Sequence, residues 1–324
     1  MTVDTKAARA VAGGFLFFVT LVIAGCATPL QSERLSQADF PEPVELTTVG
    51  FFPQEEYQCG PASLAAALGW AGVDITPASL APEVYLPARQ GSLQLEMLAA
   101  ARRHGTVPYV LRPTLDDLLT EVKAGHPVVV LQNLAFSWYP KWHYAVVVGF
   151  DLAHDEVILR SGLERRHVVP LTTFERTWRR GDYWAVVVMP PDRLPRTAQE
   201  TPYLQAVVGL ERIKRWEEAA RAYRAAAARW PESLGAQLGI GNSRYALKDV
   251  AGAERAYRAA ATAHPESGIA FNNLAQALAD LGRWDDAEAA VTKALALGGP
   301  HKRTFEETAA EIRDRRNLTA GKHK

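Results

Sequence analysis

The feature that most restricts how this chain can fold is a period of 34 residues in its C-terminal third. Ala219, Ala253 and Ala287 stand 34 apart, as do Trp216, Val250 and Trp284, and Pro231 and Pro265; Tyr223 and Tyr257 keep the same register. A period of this length is that of one supersecondary unit, which buries its apolar face by stacking on its neighbours. Roughly three helix pairs fit in residues 202–299, and FEETAAEIRDRR, within 300–324, is expected to form a capping helix ahead of a basic tail. With 324 residues and 48% hydrophobic content, the chain has room for a second domain before the repeats.

That earlier domain holds the chemistry. QEEYQCGPASLAAAL, at 54–68, places Cys59 at the entrance of an apolar helix, with Gly60 and Pro61 in the first turn where proline costs no hydrogen bond. The positive end of that helix faces the sulfur, so the expectation is a thiol of lowered pKa rather than a buried core cysteine. A thiol nucleophile needs a base, and His143 is the histidine best placed for it. It sits at the start of the strand pattern HYAVVVGFD, directly after the aromatic loop FSWYPKW. His104 and His126 adjoin glycines at helix ends, His154 is in a turn, and His167, His264, His301 and His323 lie in charged or distant segments.

Around this pair the pattern is α+β. Residues 92–104 and 114–125 read as helices, 171–178 as a further helix, and PVVVLQN, HYAVVVGFD, EVILRSG and DYWAVVVMP as four strands of an antiparallel sheet. Helices come first and the sheet second, with the nucleophile on a helix and the base on a strand.

QxxxxCGPAxLA followed by HYAVVVG resembles the papain-like cysteine peptidases of the bacteriocin-processing, double-glycine-leader type, in particular their stand-alone relatives, over about residues 44–190. The resemblance implies Cys59 as nucleophile, His143 as general base, and Gln54 as a side chain that helps stabilise the oxyanion; Gln58 is the competing donor. The pattern departs at its third position, because the Asp-Pro pair usual after the histidine strand is missing. Ser161, Glu164 and Asn133 are the candidates to orient His143, with Ser161 and Glu164 placed opposite it if 143–151 and 156–162 form a hairpin. The 34-residue period in turn resembles tetratricopeptide repeats, whose small alanines let paired helices approach closely. Gly241 and Gly282 fall on that family's positions, while Lys248 and Gly299 depart from them.

Lys6 and Arg9 precede an apolar run at 10–25 that ends IAGC at Cys26, too short for a convincing membrane span. The segment resembles a bacterial lipoprotein signal, which implies cleavage before Cys26, acylation of its sulfur, and, with Ala27 next, an outer-membrane protein facing the periplasm. An ordinary signal peptide or a short membrane anchor is the plainer alternative. The expected organisation is then a signal at 1–26, a tether at 27–45, a peptidase domain at 46–190, a proline-rich linker at 191–201 crossed by few contacts, repeats at 202–299 and the cap at 300–324.

The 36 basic and 36 acidic side chains cancel, so no nucleic-acid footprint is expected. No CxxC, HExxH or phosphate-binding glycine loop appears, so no metal or cofactor is expected. These readings converge on a lipid-anchored cysteine peptidase whose repeats bind a protein partner or present substrate. A catalytically impaired peptide-binding scaffold in an envelope assembly is the alternative.

Overall fold

The structure, a computed structural model, describes residues 29–54 and 58–321; the apolar run with Cys26 that is expected to be a signal, and the last residues of the basic tail, lie outside them. In chain order the first domain comprises β1 (Val44–Glu45), α1 (Cys59–Trp70), α2 (Pro77–Val84), β2 (Tyr85–Leu86), β3 (Gly91–Ser92), α3 (Gln94–Arg103), β4 (Val107–Val110), α4 (Leu115–Lys123), β5 (Val128–Asn133), β6 (Trp142–Asp151), β7 (Glu156–Ser161), β8 (Glu164–Pro170), α5 (Leu171–Arg179) and β9 (Ala185–Met189). The main sheet runs β4-β9-β5-β6-β7-β8, with β1 added beside β6 and every pairing antiparallel.

The strands alternate in what they bury, as their pleat requires. Val128, Val130, Ala145, Val147 and Val187 belong to one core, with α4 and α5. Val129, Leu131, Val146, Val186 and Val188 belong to the other, with α1, α2 and α3. The sheet is therefore covered on both sides, which is why PVVV, AVVVG and AVVV read as continuous apolar runs. Residues 60–68 of α1 are all buried, so this helix has no polar face and its entrance is the end left for chemistry.

Several expectations are corrected. β1, β4 and β8 were not among the four expected strands: β1 is only two residues long, and the polar sequence of β8 (ERRHVVP) fits a sheet edge rather than an alternating, half-buried strand. From Pro29 onward, residues 27–45 are not a tether. Leu30 and Phe40 are buried, and the Gln31 and Ser32 N–H groups donate to the Glu175 carboxylate at 2.6 and 2.8 Å. Scattered apolar residues in a polar, proline-containing stretch give no periodic signal, yet each finds a site on the domain.

The repeats form three antiparallel helix pairs, α6 (Glu200–Arg212) with α7 (Trp216–Arg229), α8 (Leu234–Ala246) with α9 (Val250–Ala263), and α10 (Gly268–Asp280) with α11 (Trp284–Leu297), capped by α12 (Lys302–Gly321). Trp216, Val250 and Trp284 each open the second helix of a pair, and Ala219, Ala253 and Ala287 are fully buried in those helices. Ser233 and Ser267 cap α8 and α10 through the N–H groups of Ala236 and Ala270.

The linker expectation fails most clearly. The Glu121 carboxylate, fully buried, accepts from the Thr197 N–H and Oγ1 at 2.6 Å each and from the Arg196 N–H at 3.1 Å. Tyr109 Oη accepts from the Gln199 N–H. One core runs without interruption from Val107, Tyr109 and Trp178 to Tyr203, Val207, Leu210, Ala219 and Tyr223 of the first repeat and ends at Ala236 of α8, whereas α9 to α12 share a second core that begins at Ala253.

Candidate active site

Cys59 is the first residue of α1, and the backbone N–H groups of Tyr144, Gly60 and Cys59 itself are oriented to favour its thiolate over its thiol. Those of Gly60 and Cys59 are free donors of a helix start. That of Tyr144 comes from β6, one residue beyond His143, so the nucleophile candidate rests on the strand that carries the base candidate.

His143 Nε2 is hydrogen-bonded to Ser161 Oγ at 2.8 Å. Of the three candidate orienters, Ser161 is the one that touches the imidazole. Glu164 is turned to His167 Nδ1 at 3.0 Å. Asn133 is committed to the loop before β6, its Oδ1 accepting from the Ala135 and Lys141 N–H groups and its Nδ2 donating to the Phe136 carbonyl. Gln54 closes the ring of contacts. Its N–H donates to the Gly162 carbonyl at 2.9 Å, and its Oε1 accepts from the Gly162 N–H at 3.1 Å. With that oxygen engaged, the carboxamide nitrogen is the donor left over. Gln58 occupies the N-cap position of α1 without a side-chain cap bond.

Two links are therefore made by hydrogen bonds, Gln54 to Gly162 and Ser161 to His143, and they meet at the turn after β7, while α1 carries Cys59. Among the described residues no hydrogen bond joins the Cys59 sulfur to the imidazole, and His143 Nδ1 has no partner. The other histidines near the domain pair with carboxylates elsewhere: His104 with Glu83, His126 with Glu121 and His154 with Asp151.

The electrostatics differ from the sequence expectation. Burial pushes the Cys59 thiol up, and the three N–H groups, including those of the helix start, offset this only in part. The same burial pushes His143 down to about 4, with Lys141 and His167 adding repulsion against its protonated form. Both directions favour the neutral forms, so at neutral pH Cys59 rests as thiol and His143 as imidazole. Such an imidazole is ready to accept a proton, and the thiol loses it only as it attacks.

Two residues that the sequence did not single out shape the site. Tyr144 donates its hydroxyl to the Ser92 carbonyl, tying β6 to the β2–β3 hairpin. Ser92 Oγ lies so close to Gly60 that a Cβ there would meet it at 2.3 Å, so residue 60 must be glycine for the hairpin to seat against the helix entrance. Nothing in a two-residue strand announces this contact. Among the described residues no group of three or more His, Cys, Asp or Glu side chains is placed to hold a metal ion.

The Peptidase_C39 like family matches residues 33–185, and the tetratricopeptide repeat family matches 209–267 and 238–301. Among solved structures, the chain is similar to one from Bacillus anthracis described as a C39-like peptidase, at 21% identity and a TM-score of 0.40, covering 46% of this chain and 98% of that one. It is similar as well to the Yersinia enterocolitica type III secretion chaperone SycD bound to a peptide of the translocator YopD, at 18% identity and a TM-score of 0.34, covering 40% and 99%. A third likeness is to the TPR2B domain of yeast Sti1, at 15% identity and a TM-score of 0.35, covering 37% and 100%. No curated protein matches the chain. This chain carries an N-terminal domain of the Peptidase_C39 like family followed by C-terminal tetratricopeptide repeats.

Proposed function

We propose that the protein is a cysteine peptidase, anchored to the bacterial envelope by a lipid on Cys26, whose repeats recruit a protein partner or the substrate. The observation that supports the reading is the His143 Nε2–Ser161 Oγ hydrogen bond, with Gln54 fastened to the neighbouring Gly162 and Cys59 at the start of a buried helix. In this reading His143 Nδ1 takes the thiol proton as the Cys59 sulfur attacks the scissile carbonyl. The oxyanion is met by the Cys59 N–H and the Gln54 carboxamide, the amine leaves with the proton from His143, and water then hydrolyses the thioester. Ser161 holds the ring through Nε2 in place of the usual carboxylate, a weaker orienter that leaves the tautomer less tightly fixed. A peptide with small residues such as glycine before the cleaved bond is the substrate class that the family likeness suggests. The peptide-bound state of the SycD structure suggests the same kind of ligand for the repeats. Outer-membrane residence facing the periplasm follows from the IAGC segment and Ala27.

The raised thiol and the absence of a Cys59–His143 hydrogen bond favour the second reading, a scaffold that holds a peptide without cutting it. Incubating the full chain with a peptide library and reading products by mass spectrometry separates the two. Cleavage by wild type that disappears in both Cys59→Ala and His143→Ala supports the peptidase. Peptide retention with no cleavage, equal in all three proteins, supports the scaffold.

A further inference from the structure

The loop at 134–142, LAFSWYPKW, presents a concentration of apolar side chains to solvent directly beside the candidate site. Trp138 is 81% exposed, Tyr139 70% and Phe136 65%. The arrangement is ordered. The Phe136 and Trp138 rings stack at 5.5 Å and 9°, Tyr139 leans on Trp138, and the Tyr139 N–H returns to the Phe136 carbonyl. Buried Asn133 spends its whole carboxamide on the loop backbone, and Arg180 Nε donates to the Asn133 carbonyl. A loop held this firmly with its aromatic rings in water marks an interaction surface.

Two observations say what it meets. Trp and Tyr, with an apolar body and a polar tip, are the side chains that settle at a lipid–water interface, and the one charged residue of the loop, Lys141, has the sign that anionic headgroups attract. The second observation is where the rest of the chain leaves. Gln31 and Ser32 are fastened to Glu175 of α5, and the same helix supports the loop base through Thr177, which accepts from Gln132 Nε2, and through Arg180 just past its end. Glu175 and Arg180 are about 7.5 Å apart along a helix axis. The segment leading back to the apolar run at 10–25 is therefore fastened to the same helix that supports the base of the aromatic loop.

We propose that the 134–142 loop is a membrane-interface dock, with Phe136, Trp138 and Tyr139 entering the headgroup boundary of an anionic bilayer and Lys141 meeting its phosphates. His143, one residue past the loop, is then held at the lipid surface, where the available substrates are chain segments emerging from the bilayer. The substrate class rests on the peptidase reading above; the lipid contact does not.

The test uses full-length protein with vesicles of brominated phosphatidylcholine and phosphatidylglycerol, reading tryptophan quenching and co-sedimentation for wild type, Trp138→Phe and Cys26→Ser. The expected result is quenching in wild type that falls severalfold in Trp138→Phe while the bound fraction stays high. Co-sedimentation with the same quenching in wild type and Trp138→Phe overturns the dock and leaves the anchor standing. Trp138-dependent quenching that persists in Cys26→Ser, with co-sedimentation unchanged, keeps the dock and removes the lipidated cysteine from the account. No co-sedimentation of wild type overturns both. An unquenched loop whose Trp138→Ala variant raises KM for a soluble peptide assigns the surface to substrate instead.

Discussion

The sheet domain and the repeats reach stability by opposite routes. In the repeats one solution is used three times: a fully buried alanine at 219, 253 and 287, and a left-handed turn residue at 214, 248 and 282 between the helices of each pair. In the sheet domain the contacts that shape the site and the junction are each used once. Gly60 exists for Ser92, Asn133 for one loop, and Glu121 for the chain crossing to the repeats. Repetition makes a region tolerant of change, since each unit loses only its own share of stacking. Singular contacts can assemble a site, but each is a point of failure. The first repeat belongs to the second regime, because its core is continuous with that of the sheet.

The largest effect expected from breaking a singular contact is chemical. Cys59→Ala should lower peptide cleavage by roughly 10⁴-fold or more, measured as single-turnover product formation. Residual cleavage within tenfold of wild type would remove Cys59 from the mechanism. Next comes the shared core. Tyr203→Ala, at a fully buried position, should cost about 3–5 kcal/mol. Chemical denaturation should show the sheet domain and the first repeat unfolding together, and residues 46–190 alone should be much less stable than the same residues in the full chain. An excised domain with an unchanged denaturation midpoint breaks the comparison.

Ser161→Ala tests a single neutral hydrogen bond, worth about 1 kcal/mol, so roughly a 5- to 10-fold fall in kcat is expected. The pH profile sharpens the same point. His143 must be neutral to act as base, so cleavage falls as pH drops through about 4. Thiolate forms only as pH climbs toward the raised range of Cys59, so alkylation by iodoacetamide at pH 7 is slower than for an ordinary exposed thiol and accelerates with pH. Faster alkylation at pH 7 would mean that the pair rests as thiolate and imidazolium.

The smallest effect lies within the repeats. Lys214 and Lys248 adopt φ of 61° and 66° where Gly282 adopts 73°. Lys248→Gly should therefore stabilise the chain by about 0.5–1 kcal/mol, the left-handed cost removed less the extra freedom of glycine in the unfolded chain. Destabilisation on thermal melting would show that the lysine makes a contribution beyond its backbone.

Much was legible without coordinates. The 34-residue register placed the three helix pairs, because identical units repeat identical spacing. GPASLAAAL announced an apolar helix with Cys59 at its mouth, and HYAVVVG a buried strand with His143 at its start, because both are local patterns of apolar side chains. The choice among Ser161, Glu164 and Asn133 was not local. It depends on the β6–β7 hairpin carrying Ser161 to the imidazole, while Glu164 found His167 and Asn133 found its own loop. The protonation of the pair was not local either. A helix start argues for a lowered thiol, and the desolvation of half-buried Cys59 by the elements packed around it reverses that direction. The joining of the two regions was likewise decided in three dimensions, where an ordinary glutamate in α4 becomes a buried clamp on Arg196 and Thr197. Sequence determines the elements because propensity and periodicity act over one or two turns of chain. Which side chain meets which, and how much water is left between them, is set by contacts between residues far apart in that chain.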